Sequence, residues 1–129
     1  MDRLELICDT YLSVATPVQL AARSLLEQGV VVREQILARI RANYRTLRGT
    51  IRGGATVLPA DAGWSAVVRL PATQTDDVVA LDLLERDAVV VHPGYFFDFR
   101  HEALVVSLLP PAEQFARGVQ LIQDRLDAA

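Results

Sequence analysis

The sequence predicts an α+β fold: a two-layer sandwich with helices packed on a small, mainly antiparallel sheet of three to four strands. Two observations carry this expectation. Over the first fifty residues the apolar positions recur every three or four places, the period of a helix. From Ala55 onward, short runs that alternate or are wholly apolar lie between clusters of Gly and Pro, as strands and their turns do. The 129 residues show no internal repeat and no long polar linker, so one core suffices.

Residues 1–15 read as an N-terminal arm or short helix, with Leu4, Ile7, Cys8 and Leu12 at helical spacing. Residues 16–129 read as a single domain. A helix begins at Thr16, whose hydroxyl can cap the first amides. Pro17 suits the opening turn, and Gln19 can complete a capping box. It runs to about Gln28 and stops at Gly29, a residue that tolerates the left-handed conformation. A longer helix follows from near Val31 to about Arg52, with Ile36, Ile40, Tyr44, Leu47 and Ile51 on one core-facing side.

Gly53 and Gly54 end that helix, and the period changes. Ala55 to Leu58 suits a short strand. Trp64 to Leu70 is a better one, with Trp64, Ala66, Val68 and Leu70 on one side. Thr75, Asp76 and Asp77 open a helix to about Arg86, with a capping hydroxyl and two acids at the positive end of its dipole. Ala88 to Val91 is an uninterrupted apolar run, expected as a strand covered on both faces, and His92, Pro93 and Gly94 then turn the chain. Ala103 to Leu109 gives a further strand. Pro111 and Glu113 open a last helix, with Phe115, Val119, Leu121, Ile122 and Leu126 on its apolar side.

Composition narrows the function classes. With 51% hydrophobic and 22% charged residues the chain should be globular rather than disordered. A formal net charge of −3 gives no general reason to bind nucleic acid or anionic membrane. The longest uncharged run, Thr10 to Ala22, is too short to span a bilayer and lacks the basic leader of a secretory signal, so a cytoplasmic location is expected. Cys8 is the only cysteine, which excludes an internal disulfide and a thiolate zinc site. All thirteen basic residues are arginine, so no side chain can act as a Schiff-base or phosphate-loop lysine.

Several groups could still carry chemistry. Cys8 with His92 or His101 would pair a thiol with a base, yet nothing in the sequence brings them together, and a lone Cys is more often a small core residue. The two histidines, with Asp98 and Glu102 nearby, lack any recognised metal-ligand spacing and read as loop residues. Arg41, Arg45, Arg48 and Arg52 form a stripe on the long helix that could grip phosphates. It equally suits a solvated face whose cations favour the negative helix end. In AVVVHPGYFFDF, residues 88–99, Tyr95, Phe96, Phe97 and Phe99 precede Arg100. They either wall a binding cleft beside a cation or close the open end of the sheet.

Taken in order, YLSVATPVQLAA (11–22), ILARIRANYRTL (36–47), GWSAVVRLP (63–71), VVVHPGYFFDF (89–99) and EALVVSLL (102–109) resemble the C-terminal small domain of fold-type I pyridoxal-phosphate aminotransferases of class I/II. The likeness spans nearly the whole chain, although each motif is short and degenerate. Its nearest branches are the class I and II enzymes and the aminotransferase-like domains of bacterial transcription regulators. It implies a fragment of an enzyme that moves an amino group between an amino donor and a keto acid. A preceding large domain, absent from this sequence, would supply the Schiff-base lysine, the aspartate facing the pyridine nitrogen and most phosphate contacts.

The resemblance therefore implies pyridoxal 5'-phosphate in the full-length enzyme and none in this chain, which is expected to be inactive alone, with no catalytic residue and no metal site of its own. The expected partners are the large domain, a second copy in a homodimer and a small-molecule substrate, without nucleic acid or membrane. Ser13 and Thr16 fall in a segment that approaches the neighbouring subunit's cofactor, and Tyr95 in a turn near the substrate. Val105 stands where the family usually has an arginine, in a pattern like Phe-Arg-Ile-Ser, that holds the substrate carboxylate. Either Arg100 takes over or the substrate is not an ordinary α-amino acid. A second reading, from a different class, is a free-standing binding or regulatory module using the arginine stripe or the aromatic turn. Leu4, Leu6, Ile7, Tyr11, Leu12 and Val14 are too apolar for a free arm and are expected to exchange with a second copy.

Overall fold

A computed structural model of the chain describes all residues except 1, 12, 13 and 129, and for residues 2 and 9–11 the backbone alone. The chain divides into two compact units, residues 1–35 and 36–129. The first holds α1 (Asp2–Tyr11), α2 (Thr16–Gln28) and the opening turns of α3 (Val30–Thr50).

The start of α2 differs from the capping box expected there. Ala15 occupies the cap position and no side chain caps the helix. The Gln19 Nε2 instead donates to the Val14 carbonyl at 2.6 Å. Gly29 follows α2 with φ −71° and ψ −7°, right-handed rather than left-handed. Its glycine requirement is steric, because a Cβ there would lie 2.8 Å from the Leu25 carbonyl oxygen. No residue of α2 is buried.

The second unit contains the rest of α3, β1 (Thr56–Val57), β2 (Ser65–Arg69), α4 (Asp76–Asp87), β3 (His92–Pro93), a single 3-10 turn at Gly94–Phe97, β4 (Ala103–Ser107) and α5 (Ala112–Asp127). The four strands lie in the order β1-β2-β4-β3, every neighbouring pair antiparallel, which is the α+β architecture the sequence predicts. Alternation along the strands divides the sheet into two faces. Ala66 and Val68 of β2 and Leu104 and Val106 of β4 point to one side. There they form one cluster with Leu47 of α3, Ile51 just past its end, Val79 and Leu83 of α4, and Phe115, Val119 and Ile122 of α5. Burying each of the larger side chains stabilises the fold by about 1.5–3 kcal/mol before ordering costs. Along α3 the expected apolar face is core only toward its C-terminal end: Leu47 and Ile51 are buried, Ile40 and Tyr44 partly so, and Ile36 is exposed.

Polar ties hold the helices to the sheet layer. The buried Asn43 amide donates to the carbonyls of Leu108 (3.0 Å) and Pro110 (2.9 Å), so α3 grips the loop that leaves β4. The buried Gln123 accepts the Arg52 N–H at 2.9 Å, which satisfies an amide just past the end of α3. Arg125 of α5 donates to Asp87 of α4 at 2.6 Å.

The apolar run Ala88 to Val91 is not a strand. Ala88 is left-handed (φ 53°) and closes α4, the Val89 N–H bonds back to Leu83 at 3.0 Å, and Val90 is 73% exposed. These residues complete a helix end, and the ladder begins only at His92, in the segment expected to be a turn.

Candidate functional site

The sheet face opposite the core carries Arg69, His92 and Val105. Across its middle, Val67, Val105 and His92 are directly paired, and two residues back along β4 Ala103 faces Arg69. Val105, where the resemblance expects an arginine, is buried at 8% exposure. It has no polar group to offer a ligand.

Beyond β3 the chain makes the aromatic turn. Tyr95 meets Phe96 edge-on at 4.7 Å, Phe97 meets His92 edge-on at 6.2 Å, and Phe99 stacks on His101 at 5.7 Å with the rings parallel to within 1°. Tyr95, Phe96 and Phe97 are each about half exposed. The rings thus shield one another only in part and present an apolar wall.

Position of the turn is set by Asp76, the first residue of α4. Its buried carboxylate accepts the Gly94 N–H at 2.8 Å and the Ala103 N–H at 3.4 Å through the same oxygen. The Asp76 N–H in turn donates to Glu102 Oε2 at 2.8 Å. The expected Thr75 hydroxyl cap is not formed, and the free amide at the head of α4 is satisfied by the distant Glu102 carboxylate instead. Gly94 is required at the centre, since a Cβ there would lie 3.0 Å from Phe99 Cδ2 and 3.1 Å from the Ala103 carbonyl oxygen.

Arg100 leaves this turn exposed and lines a cleft of about 420 Å³ with Arg69, Leu70, Ala72, His101 and Glu102. Tyr95 is not among the lining residues. A larger groove of about 460 Å³ runs between residues 87–91 and α5, lined in part by Val90, Phe115, Arg117 and Leu121.

The remaining candidates lie elsewhere. Ser13 falls outside the described residues. Thr16 is the exposed first residue of α2, in the first unit, while Tyr95 and Arg100 belong to the second. Cys8 is an exposed free thiol. Among the described residues no three His, Cys, Asp or Glu side chains are grouped so as to hold a metal ion, and no helix is long and apolar enough to cross a membrane. Of the stripe, Arg45 donates to the Arg41 carbonyl at 3.3 Å and Arg48 lies over the Tyr44 ring at 5.9 Å.

Asp76, Gly94 and Arg69 are the residues that sequence reasoning passed over as parts of a site, and Glu102 was weighed only as a neighbour of the two histidines. Asp76 carried a signal only as a helix-opening acid.

No protein-family model and no curated protein matches the chain. Solved structures that share its fold include the following two. An aromatic aminotransferase from Pyrococcus horikoshii OT3 matches 80% of this chain at a TM-score of 0.64 and 15% identity. A decarboxylase from Sulfurospirillum multivorans matches 97% of it at a TM-score of 0.73 and 14% identity. At these identities the likeness is one of fold. The chain spans 27% and 36% of the two proteins, respectively.

Proposed function

We propose that this chain is the small domain of a pyridoxal-phosphate aminotransferase, which helps to close the active site around an amino donor while a large domain outside this sequence performs the covalent chemistry. The observation that carries this reading is the ordered run of five aminotransferase-like segments on a chain that shares its fold with 27% of an aromatic aminotransferase.

The residues present do not make a site for the coenzyme. With no lysine, no side chain of this chain can form an imine with an aldehyde, so the coenzyme belongs to the large domain. In this reading the contribution of the chain is shape and charge. The aromatic turn, Tyr95 included, supplies an apolar wall beside the substrate, and Arg100 supplies a cation for the substrate carboxylate in place of the arginine missing at Val105. In this reading the head of α2 at Thr16 approaches the neighbouring subunit's cofactor in a homodimer. Because Arg45 and Arg48 are engaged along their own helix, the stripe offers less support for a free-standing binding module.

The coding sequence upstream of Met1 tests the reading. An adjoining frame with a lysine-bearing cofactor motif supports it, and a complete short gene overturns it. In the full-length enzyme, Arg100→Ala should raise the KM for substrates carrying an α-carboxylate by about tenfold or more and leave carboxylate-free amines unaffected. Equal losses for both would remove Arg100 from that role.

A further inference from the structure

We propose that the cleft between the end of β2 and residues 100–102 is an oxyanion site with two guanidinium arms, Arg69 and Arg100, and His101 as a third donor. The inference rests on the reading above for the anion's role as a substrate group, and it adds Arg69, His101 and the chemical class of the ligand.

Three observations carry it. First, the sheet register brings the arms together. Arg69 pairs with Ala103 across the ladder, and the next rung is closed by the Leu70 N–H donating to the Glu102 carbonyl at 2.9 Å. The end of β2 is thereby tied to the loop that carries Arg100, although the two arginines are 31 residues apart in the chain. Leu70, 6% exposed, lines the same cleft as an apolar element.

Second, both guanidiniums are uncommitted. Among the described residues neither forms an ion pair or a side-chain hydrogen bond, whereas Arg23, Arg86 and Arg125 all pair with carboxylates. The acid nearest to hand is Glu102, which lines the same cleft. Its Oε2 accepts the Asp76 N–H at the head of α4, it forms no ion pair with either arginine, and it is one carboxylate against two guanidiniums. The lining groups therefore carry net positive charge.

Third, the loop is fixed before any ligand arrives. His101 is held flat against Phe99, and Asp76 anchors both Gly94 and Ala103 on either side of the loop. With the backbone on either side of Arg100 and His101 held in this way, an oxyanion binds without first ordering the loop. Guanidinium groups suit a carboxylate or a phosphate alike, because each presents paired N–H donors to two oxygens.

The test is an NMR titration of the full 129-residue chain, reading the arginine Nε–Hε resonances against sodium acetate and, separately, inorganic phosphate, with sodium chloride at matched ionic strength as the control. The expected result is saturable movement of the Arg69 and Arg100 signals together, while those of Arg41 and Arg45 stay in place. Arg69→Gln and Arg100→Gln should each weaken binding about tenfold. Both side chains are exposed, so the variants keep the fold, and unchanged backbone amide shifts verify this. Tighter acetate binding assigns the site to a carboxylate, and tighter phosphate binding assigns it to a phosphoryl group. Non-saturating shifts, shifts matched by chloride, or affinity unchanged in either variant overturn the proposal. Such a failure leaves the aminotransferase reading standing. A gene without the upstream lysine motif would sink that reading and leave the anion site intact.

Discussion

The carboxylate of Asp76 accepts the backbone N–H of Gly94 at 2.8 Å, across 18 residues of sequence. The same oxygen also faces the Ala103 N–H at 3.4 Å, so one buried acid holds the aromatic turn against both α4 and the start of β4. Buried acceptors of this kind matter most when removed, because the amides left behind have no water to turn to.

Asp76→Ala should therefore destabilise the chain by about 1–3 kcal/mol in a urea unfolding experiment. Amide exchange at Gly94 should quicken at the same time. Asp76→Asn keeps a carbonyl acceptor and should lose less. Wild-type stability in the alanine variant would show that the turn is held by its ring contacts instead.

Gly94→Ala places a methyl group within 3.1 Å of the Ala103 carbonyl oxygen, a backbone atom that cannot swing aside. Overpacking at such a position costs about 1–3 kcal/mol. Thermal unfolding should show the loss, and Gly118→Ala, whose added Cβ meets nothing within 4 Å, provides the control.

The isolated chain should leave pyridoxal phosphate untrapped. Mixing the two, reducing with borohydride and mapping the product by mass spectrometry should find no labelled side chain, since no lysine is present. Slow labelling of the N-terminal amine is expected and is outside the prediction. An adduct on any other residue would contradict it.

We also propose that the N-terminal arm exchanges with a second copy. Leu4, Ile7 and Val14 are all more than half exposed. Burying even four such side chains is worth roughly 6 kcal/mol before ordering costs. Sedimentation at micromolar concentration should find a dimer for the whole chain and a monomer once residues 1–14 are removed. A monomer in both cases would refute the exchange.

Much of this fold was legible in the residues themselves, because amphipathic periods report which side of an element is buried. The two-residue alternation of β2 marked Ala66 and Val68 as core, and the helical spacing of Phe115, Val119 and Ile122 marked the buried side of α5. The absence of lysine, a plain property of the sequence, likewise determined that no side chain here can make an imine. Tertiary structure alone decided the rest. Ala88 to Val91 carries a strand's composition, yet its first residues close α4, a choice made by the hydrogen bond from Val89 to Leu83 rather than by propensity. Asp76 looked like a dipole-favouring acid at a helix head, and only the arrival of Gly94 and Ala103 beside it made it the anchor of the turn. Arg69 and Arg100 became neighbours through the β2–β4 register. Local patterns encode an element's period and its ends. A contact between residues tens of positions apart depends on how whole elements pack, and no short window of sequence contains that information.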